Sequence, residues 1–320
     1  MTGVAADMLA SVPLFAALSD ADRAALTDAM EPRKYADGAA LMVQYDPGDG
    51  LYILHLGTVR VGRRLPGGGF ADTARLGPGS VIGEMALVGR GGRRSATVLA
   101  DGPVETLFLP GTAFRAALGQ LRPASLAMQR ALGAELARRV AAKTQDIAAT
   151  VATTPGGFTP RTAPRQPQPQ AETPFDPADF IAKFPLVAGL DAVQREALLA
   201  AGQARQFARG EQPGNDKIWL VARGALRSHL PLAGGDYQLE VLGPGRLAGL
   251  ARQASGLTAT EESLLIDWEA ATFRAMLDRN DALAMALGAA VNADLVASLD
   301  ALDGVEARIA AMHRAVASEV

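Results

Sequence analysis

An acid and a base stand ten residues apart around a glycine-rich turn: Gly79-Ser80-Val81-Ile82-Gly83-Glu84-Met85-Ala86-Leu87 runs on to Arg93-Arg94-Ser95-Ala96-Thr97-Val98. These residue types suit a sugar phosphate. Backbone N–H groups freed by a tight glycine turn can converge on an anion. Arg94 adds a bidentate charge-assisted contact, and Glu84 accepts from a ribose hydroxyl. A carboxylate beside a guanidinium fits a nucleotide better than a bare phosphate.

The stretch resembles the phosphate-binding cassette of the cyclic nucleotide-binding domain, whose usual form is Phe-Gly-Glu-Leu-Ala-Leu, a short spacer, then Arg-Ala-Ala-Thr-Val or Arg-Ser-Ala. Here Ile82 stands where the Phe is usual. About eight positions agree in order and spacing, more than a lone glycine motif provides. The resemblance implies that Gly83 and Ala96 offer backbone N–H groups and that Glu84 holds the ribose 2′-OH. It implies that Arg94 and Ser95 hold the cyclic phosphate, with Met85 and Ala86 in the same ligand-binding turn. The ligand expected is cAMP rather than cGMP, although the Ser95 hydroxyl does not decide between them, and no other cofactor is expected. The alternative is a β-roll that kept the turn for folding and lost the ligand, its Arg and Glu satisfying each other.

The elements that position this turn occur twice. Pro13-Leu14-Phe15-Ala16-Ala17-Leu18 returns as Pro185-Leu186-Val187-Ala188-Gly189-Leu190, and Leu76-Gly77-Pro78-Gly79 as Leu242-Gly243-Pro244-Gly245. Phe114-Arg115-Ala116 returns as Phe273-Arg274-Ala275. Internal duplication follows. Alternation in 51–61 and 217–226 reads as strands, with Gly57 and Gly224 as matching hairpin or bulge positions. The fold class expected is α+β, with two β-rolls of about eight strands each, flanked by helices, and a long C-terminal helix. The domains expected are a cyclic nucleotide-binding domain over 1–150, a Pro-rich linker over 151–177, a degenerate copy over 178–280 and a coiled-coil-like helix over 281–320. Setting Gly77 on Gly243 puts Gly83 on Gly249, Glu84 on Leu250, Arg94 on Thr260 and Thr97 on Ser263. Both charged contacts are lost, so the second copy is expected to pack or dock rather than bind a cyclic nucleotide.

Residues Pro123 to Thr150 read as one helix. In the family the corresponding helix closes over the base and often forms a dimer interface. Leu136-Ala137-Arg138-Arg139-Val140 followed by Thr144 resembles that of the catabolite activator type, which implies a purine contact for Thr144; Lys143 departs from the usual Thr beside it. Further on, Val291, Ser298, Val305 and Met312 alternate with Leu295, Leu302, Ile309 and Val316 at heptad a and d spacing. That pattern suits a parallel homodimer, or a helix lying on its own domain.

Composition narrows the function classes. With 49% hydrophobic residues in 320, two cores can be built. The absence of cysteine excludes disulfides and thiolate chemistry. His55, His229 and His313 have no metal-ligand spacing. The start of the chain has no signal-peptide pattern, and no run of about 18 apolar residues follows. A cytoplasmic, membrane-free protein is expected. Residues 1–150 carry 16 basic and 14 acidic residues, 176–320 carry 13 and 19, and beyond Asp281 the cations are Arg308 and Arg314. A CRP/FNR-like transcription regulator would need a basic helix-turn-helix there, and none can be nominated, so DNA is not an expected partner. No catalytic set assembles, so an enzyme is not expected. The readings that remain are a cyclic-nucleotide receptor with an unknown protein effector, resembling tandem kinase regulatory subunits, and a scaffold of two silent rolls.

Overall fold

The fold was analysed in a computed structural model that describes residues 2–64, 70–153, 181–232, 235–251 and 255–318. Two short helices open the chain, α1 (Thr2–Ser11) and α2 (Asp20–Asp28). The second begins where it does because the Ser19 hydroxyl accepts from the Asp22 N–H at 3.1 Å, satisfying one of the first-turn donors. Six strands follow: β1 (Glu31–Tyr35), β2 (Ala40–Met42), β3 (Gly50–Arg64), β4 (Phe70–Leu76), β5 (Val81–Ile82) and β6 (Thr97–Pro110). They form one antiparallel sheet of order β1-β6-β3-β4, with β2 on β6 and β5 on β3. Leu41, Tyr52, Leu54, Val59, Ile82, Val98, Ala100, Val104 and Phe108 fill its interior.

Strands β3 and β6, of 15 and 14 residues, form the centre of the sheet and pair along most of their length. Their register shifts on either side of Leu56, beside Gly57, whose φ of 87° admits no other residue cheaply. A Cβ on Gly57 would also run into the Pro103 carbonyl. About eight strands were expected in this roll. Six are found among the described residues, and at Gly57, read as a hairpin or bulge position, β3 runs on through a bulge. Helix α3 (Met85–Val88) carries the turn after β5, and α4 (Gly111–Gly119) and α5 (Pro123–Thr153) follow β6.

The second copy has the same succession of helices, strands and helices, with no counterpart of α3 among its described residues. Helices α6 (Pro185–Ala188) and α7 (Ala192–Ala200) lead in, the latter started by a capping box of Asp191 and Gln194. Seven strands follow: β7 (Gln203–Phe207), β8 (Lys217–Arg223), β9 (Leu226–Leu232), β10 (Gly235–Leu242), β11 (Leu247–Ala248), β12 (Gly256–Ala259) and β13 (Ser263–Glu269). They form two antiparallel sheets, β10-β9-β12 and β11-β8-β13-β7. Gly224, with φ 80°, breaks β8 from β9 where Gly57 only bends β3. Helices α8 (Ala270–Leu277) and α9 (Ala282–Ser318) complete the chain.

The chain divides into two compact units. One is Met1–Leu132 with Asp303–Val320; the other is Gly133–Leu302. The boundaries between these units fall inside α5 and α9, helices of 31 and 37 residues that are about 45 and 55 Å long. Beyond Thr153, the Pro-rich linker lies outside the described residues. The heptad seam of α9 is already covered within the chain: Val291, Leu295, Ser298, Leu302, Val305 and Ile309 are buried, and Met312 is exposed. The apolar spacing expected to join two copies therefore serves intramolecular packing, which uses the same stripe, and the Val316 side chain lies outside the description. By length and composition Ala282–His313 could cross a membrane, but 61% of its most apolar window is buried, as in a core helix.

Candidate functional site

The glycine turn is built by conformations that only glycine adopts easily. Gly79 and Gly83 have φ of 85° and 91°. A Cβ on Gly83 would collide with Arg94 Nη1. Glu84 then caps α3, and its carbonyl accepts from the Leu87 N–H at 2.9 Å. Glu84 is buried and partnered.

Arg94 is drawn inward by three donations. Nη1 donates to the carbonyls of Gly50 at 2.7 Å and Gly83 at 3.0 Å, and Nη2 to Asp49 Oδ1 at 2.5 Å. The residue is 3% exposed, whereas the Asp49 side chain is 63% exposed. A guanidinium has five N–H donors. The Nε hydrogen and one Nη2 hydrogen are therefore uncommitted among the described residues, on a cation already fixed in direction. A buried cation with donors to spare is costly unless something anionic completes it. The Arg94 guanidinium also lies 5.9 Å from the Tyr52 ring centre. Burial, with Tyr35 adding to it, pushes the Tyr52 hydroxyl up to about 12, so this neighbour stays neutral.

A loop ahead of β3 clamps the cassette. The Arg94 N–H donates to the Asp46 carbonyl at 2.8 Å, the Tyr45 N–H to the Arg94 carbonyl at 2.9 Å, and Gly48 N–H to the Gly92 carbonyl at 2.8 Å. Tyr45 itself sits at φ 75° with its side chain 60% exposed. Across the turn the Ser95 hydroxyl lies 4.0 Å from Met85 Sδ, while Gln44 N–H donates to Thr97 Oγ1 at 3.0 Å. Ala86 and Ala96 are buried.

Of the expected site residues, Gly83, Glu84, Met85, Ala86, Arg94, Ser95 and Ala96 come together in one turn of the first unit. Thr144 belongs to the second unit, buried on α5, where its hydroxyl donates to the Val140 carbonyl at 2.8 Å. Reading the sequence missed Asp49. The signal was there, in the turn Asp46-Pro47-Gly48-Asp49-Gly50, but nothing local says that its carboxylate meets an Arg 45 residues on.

The second copy keeps the backbone and not the charges. Gly249 has φ 86°, as Gly83 has 91°. Thr260, in the place of Arg94, donates from its hydroxyl to the Ala225 carbonyl at 3.1 Å. A cavity of about 50 Å³ remains, lined in part by Ser228, Ser255, Leu257, Leu295 and Ser298. Among the described lining residues the charged group is Glu240, whose carboxyl burial pushes upward, with Arg246 opposing.

Residues 32–120 match the family model described as the cyclic nucleotide-binding domain. The cAMP-dependent protein kinase type II regulatory subunit of Drosophila melanogaster is 34% identical over 113 residues, which are 35% of this chain and 30% of that protein. The cAMP-dependent protein kinase regulatory subunit of Colletotrichum orbiculare is 32% identical over 113 residues, 35% of this chain and 28% of that one. The chain thus spans under a third of the length of these relatives. Among solved structures, the regulatory domain of Toxoplasma gondii PKA with cAMP covers 87% of this chain and 93% of its own, at 17% identity and TM-score 0.35. The N-terminal domain of a transcriptional regulator from Streptomyces coelicolor is 36% identical, covering 41% of this chain and 92% of its own, at TM-score 0.36. The first roll belongs to the cyclic nucleotide-binding domain family.

Proposed function

We propose that this chain is a non-enzymatic cyclic-nucleotide receptor of the cytoplasm, with one live pocket in the first roll and a silent second roll. The carrying observation is Arg94: a buried guanidinium, aimed by Gly50, Gly83 and Asp49, with two donors uncommitted among the described residues beside a glycine turn. In this reading Arg94, Ser95 and the N–H groups of Gly83 and Ala96 hold the cyclic phosphate, Glu84 takes the ribose hydroxyl, and Met85 and Ala86 line the turn. Ligand occupancy shifts the balance between two arrangements of the helices that follow the roll, and so reaches a protein effector. Thr144, whose hydroxyl donates to the Val140 carbonyl and still has lone pairs to accept with, is the candidate for a purine contact. cAMP is the preferred ligand, in keeping with the regulatory subunits that the first roll is similar to.

Equilibrium dialysis of the full chain against cAMP, cGMP and 5′-AMP tests the reading. Preference for cAMP, weaker cGMP binding and little 5′-AMP binding is the expected order. Equal retention of the open 5′-monophosphate would sink the cyclic-phosphate assignment.

A further inference from the structure

Arg63, the penultimate residue of β3, touches the cassette and the C-terminal helix with the same nitrogen. Its Nε donates to the Ser95 carbonyl at 2.7 Å and lies 3.5 Å from Asp303 Oδ2. The two side chains are 13% and 14% exposed, so the pair is largely withdrawn from solvent. Asp303 lies in the stretch of α9 that belongs to the first compact unit, and the next apolar positions of that stretch, Val305 and Ile309, are buried. The neighbouring residue grips the other flank of the cassette: Arg64 N–H donates to Gln44 Oε1 at 2.9 Å, and Gln44 N–H to Thr97 Oγ1.

The chemistry of one peptide unit joins these contacts to the ligand. The Ser95 carbonyl and the Ala96 N–H belong to the same amide. A guanidinium donating into that carbonyl polarises the amide and makes the N–H a stronger donor, and an anion on the N–H makes the carbonyl a stronger acceptor. Asp303 keeps the guanidinium aimed. We propose that Arg63 and Asp303 are a positioning pair through which docking of the α9 segment after Leu302 and occupancy of the cassette reinforce each other. The ligand-responsive output of the first roll is then the C-terminal helix. This inference rests on the cyclic-phosphate reading above, and linkage requires the coupling to run both ways: ligand tightens the helix, and the docked helix tightens the ligand.

The test is amide hydrogen exchange of the full chain with and without 3′,5′-cAMP, joined to calorimetric titration of Asp303→Asn, Arg63→Gln and the double variant. cAMP is expected to slow exchange over 303–313 in the wild type and not in Asp303→Asn. That variant should bind cAMP about 5- to 20-fold more weakly, and the double variant no more weakly than Arg63→Gln alone. A merely structural pair would give no ligand-dependent protection. Binding by the wild type with unchanged exchange over 303–313, or unweakened binding by a folded Asp303→Asn, overturns the coupling while leaving the pocket standing. No binding by the wild type overturns the pocket reading and the coupling with it. The wild-type exchange experiment decides the matter even where a variant fails to fold.

Discussion

Replacing Arg94 with Ala should damage binding and stability by separable amounts. The guanidinium satisfies the Gly50 and Gly83 carbonyls. Each buried acceptor left without its donor costs about 1–3 kcal/mol, less whatever water recovers by entering the space, so a loss of about 2–4 kcal/mol in folding stability is expected. The Asp49 contact adds little to this, because its carboxylate is 63% exposed and such pairs contribute under about 1 kcal/mol. On the ligand side, losing the charge-assisted donors costs about 1.5–3 kcal/mol, or roughly 10- to 150-fold in affinity. Urea unfolding reads the first quantity and calorimetric titration with cAMP the second. Arg94→Lys separates charge from geometry: it keeps the cation but not the planar fork, and should still lose most of the affinity. Thr260→Ala, the same position in the second roll, should leave binding unchanged. A folded Arg94→Ala protein with wild-type affinity would refute the placement of the phosphate.

Gly83→Ala forces a residue with a Cβ to φ 91° and into Arg94 Nη1, so it should cost at least about 1–2 kcal/mol in urea unfolding and weaken cAMP binding as well. Tyr45→Gly relieves a left-handed conformation at φ 75° while giving up a ring that is mostly in solvent, and should raise stability by about 0.5–1 kcal/mol; a loss would mean the ring is doing unseen packing. Glu240 titrates above its ordinary 4.5 because burial disfavours its charge. Its raised native value means that the folded state holds the proton longer, so stability falls as pH rises from 4.5 through that value. Glu240→Gln should remove this slope, and denaturation midpoints of the two proteins should diverge in favour of Gln as pH rises above 4.5.

How much of this was legible in the sequence depends on the range over which each feature is decided. The cassette was legible because its constraints are local: Gly83 must take a positive φ, and Glu84 and Arg94 flank the turn at short spacing. The altered second cassette is legible for the same reason, since Gly249 keeps the positive φ while Leu250 and Thr260 stand where the first roll has Glu84 and Arg94. Asp49 was not, because its meeting with Arg94 is made by the closure of the roll. At Gly57 the sequence left hairpin and bulge open, because the two share one local signature, and the structure has the bulge. Helix α5 was placed at Pro123 and runs three residues past the expected end. For α9, the heptad spacing fixed which face is apolar but could not say that the chain itself covers it. Arg63 carried no sequence signal, since a strand-end arginine acquires its role only from the carbonyl and carboxylate that folding brings to it.

The most direct test of the central claim is the stoichiometry of cAMP binding to the wild-type chain, measured by isothermal titration beside Arg94→Ala. One site per chain, abolished or severely weakened in the variant, is the result predicted for a live first roll and a silent second. Two sites per chain would contradict the silent second roll, and no binding would contradict the pocket built around Arg94.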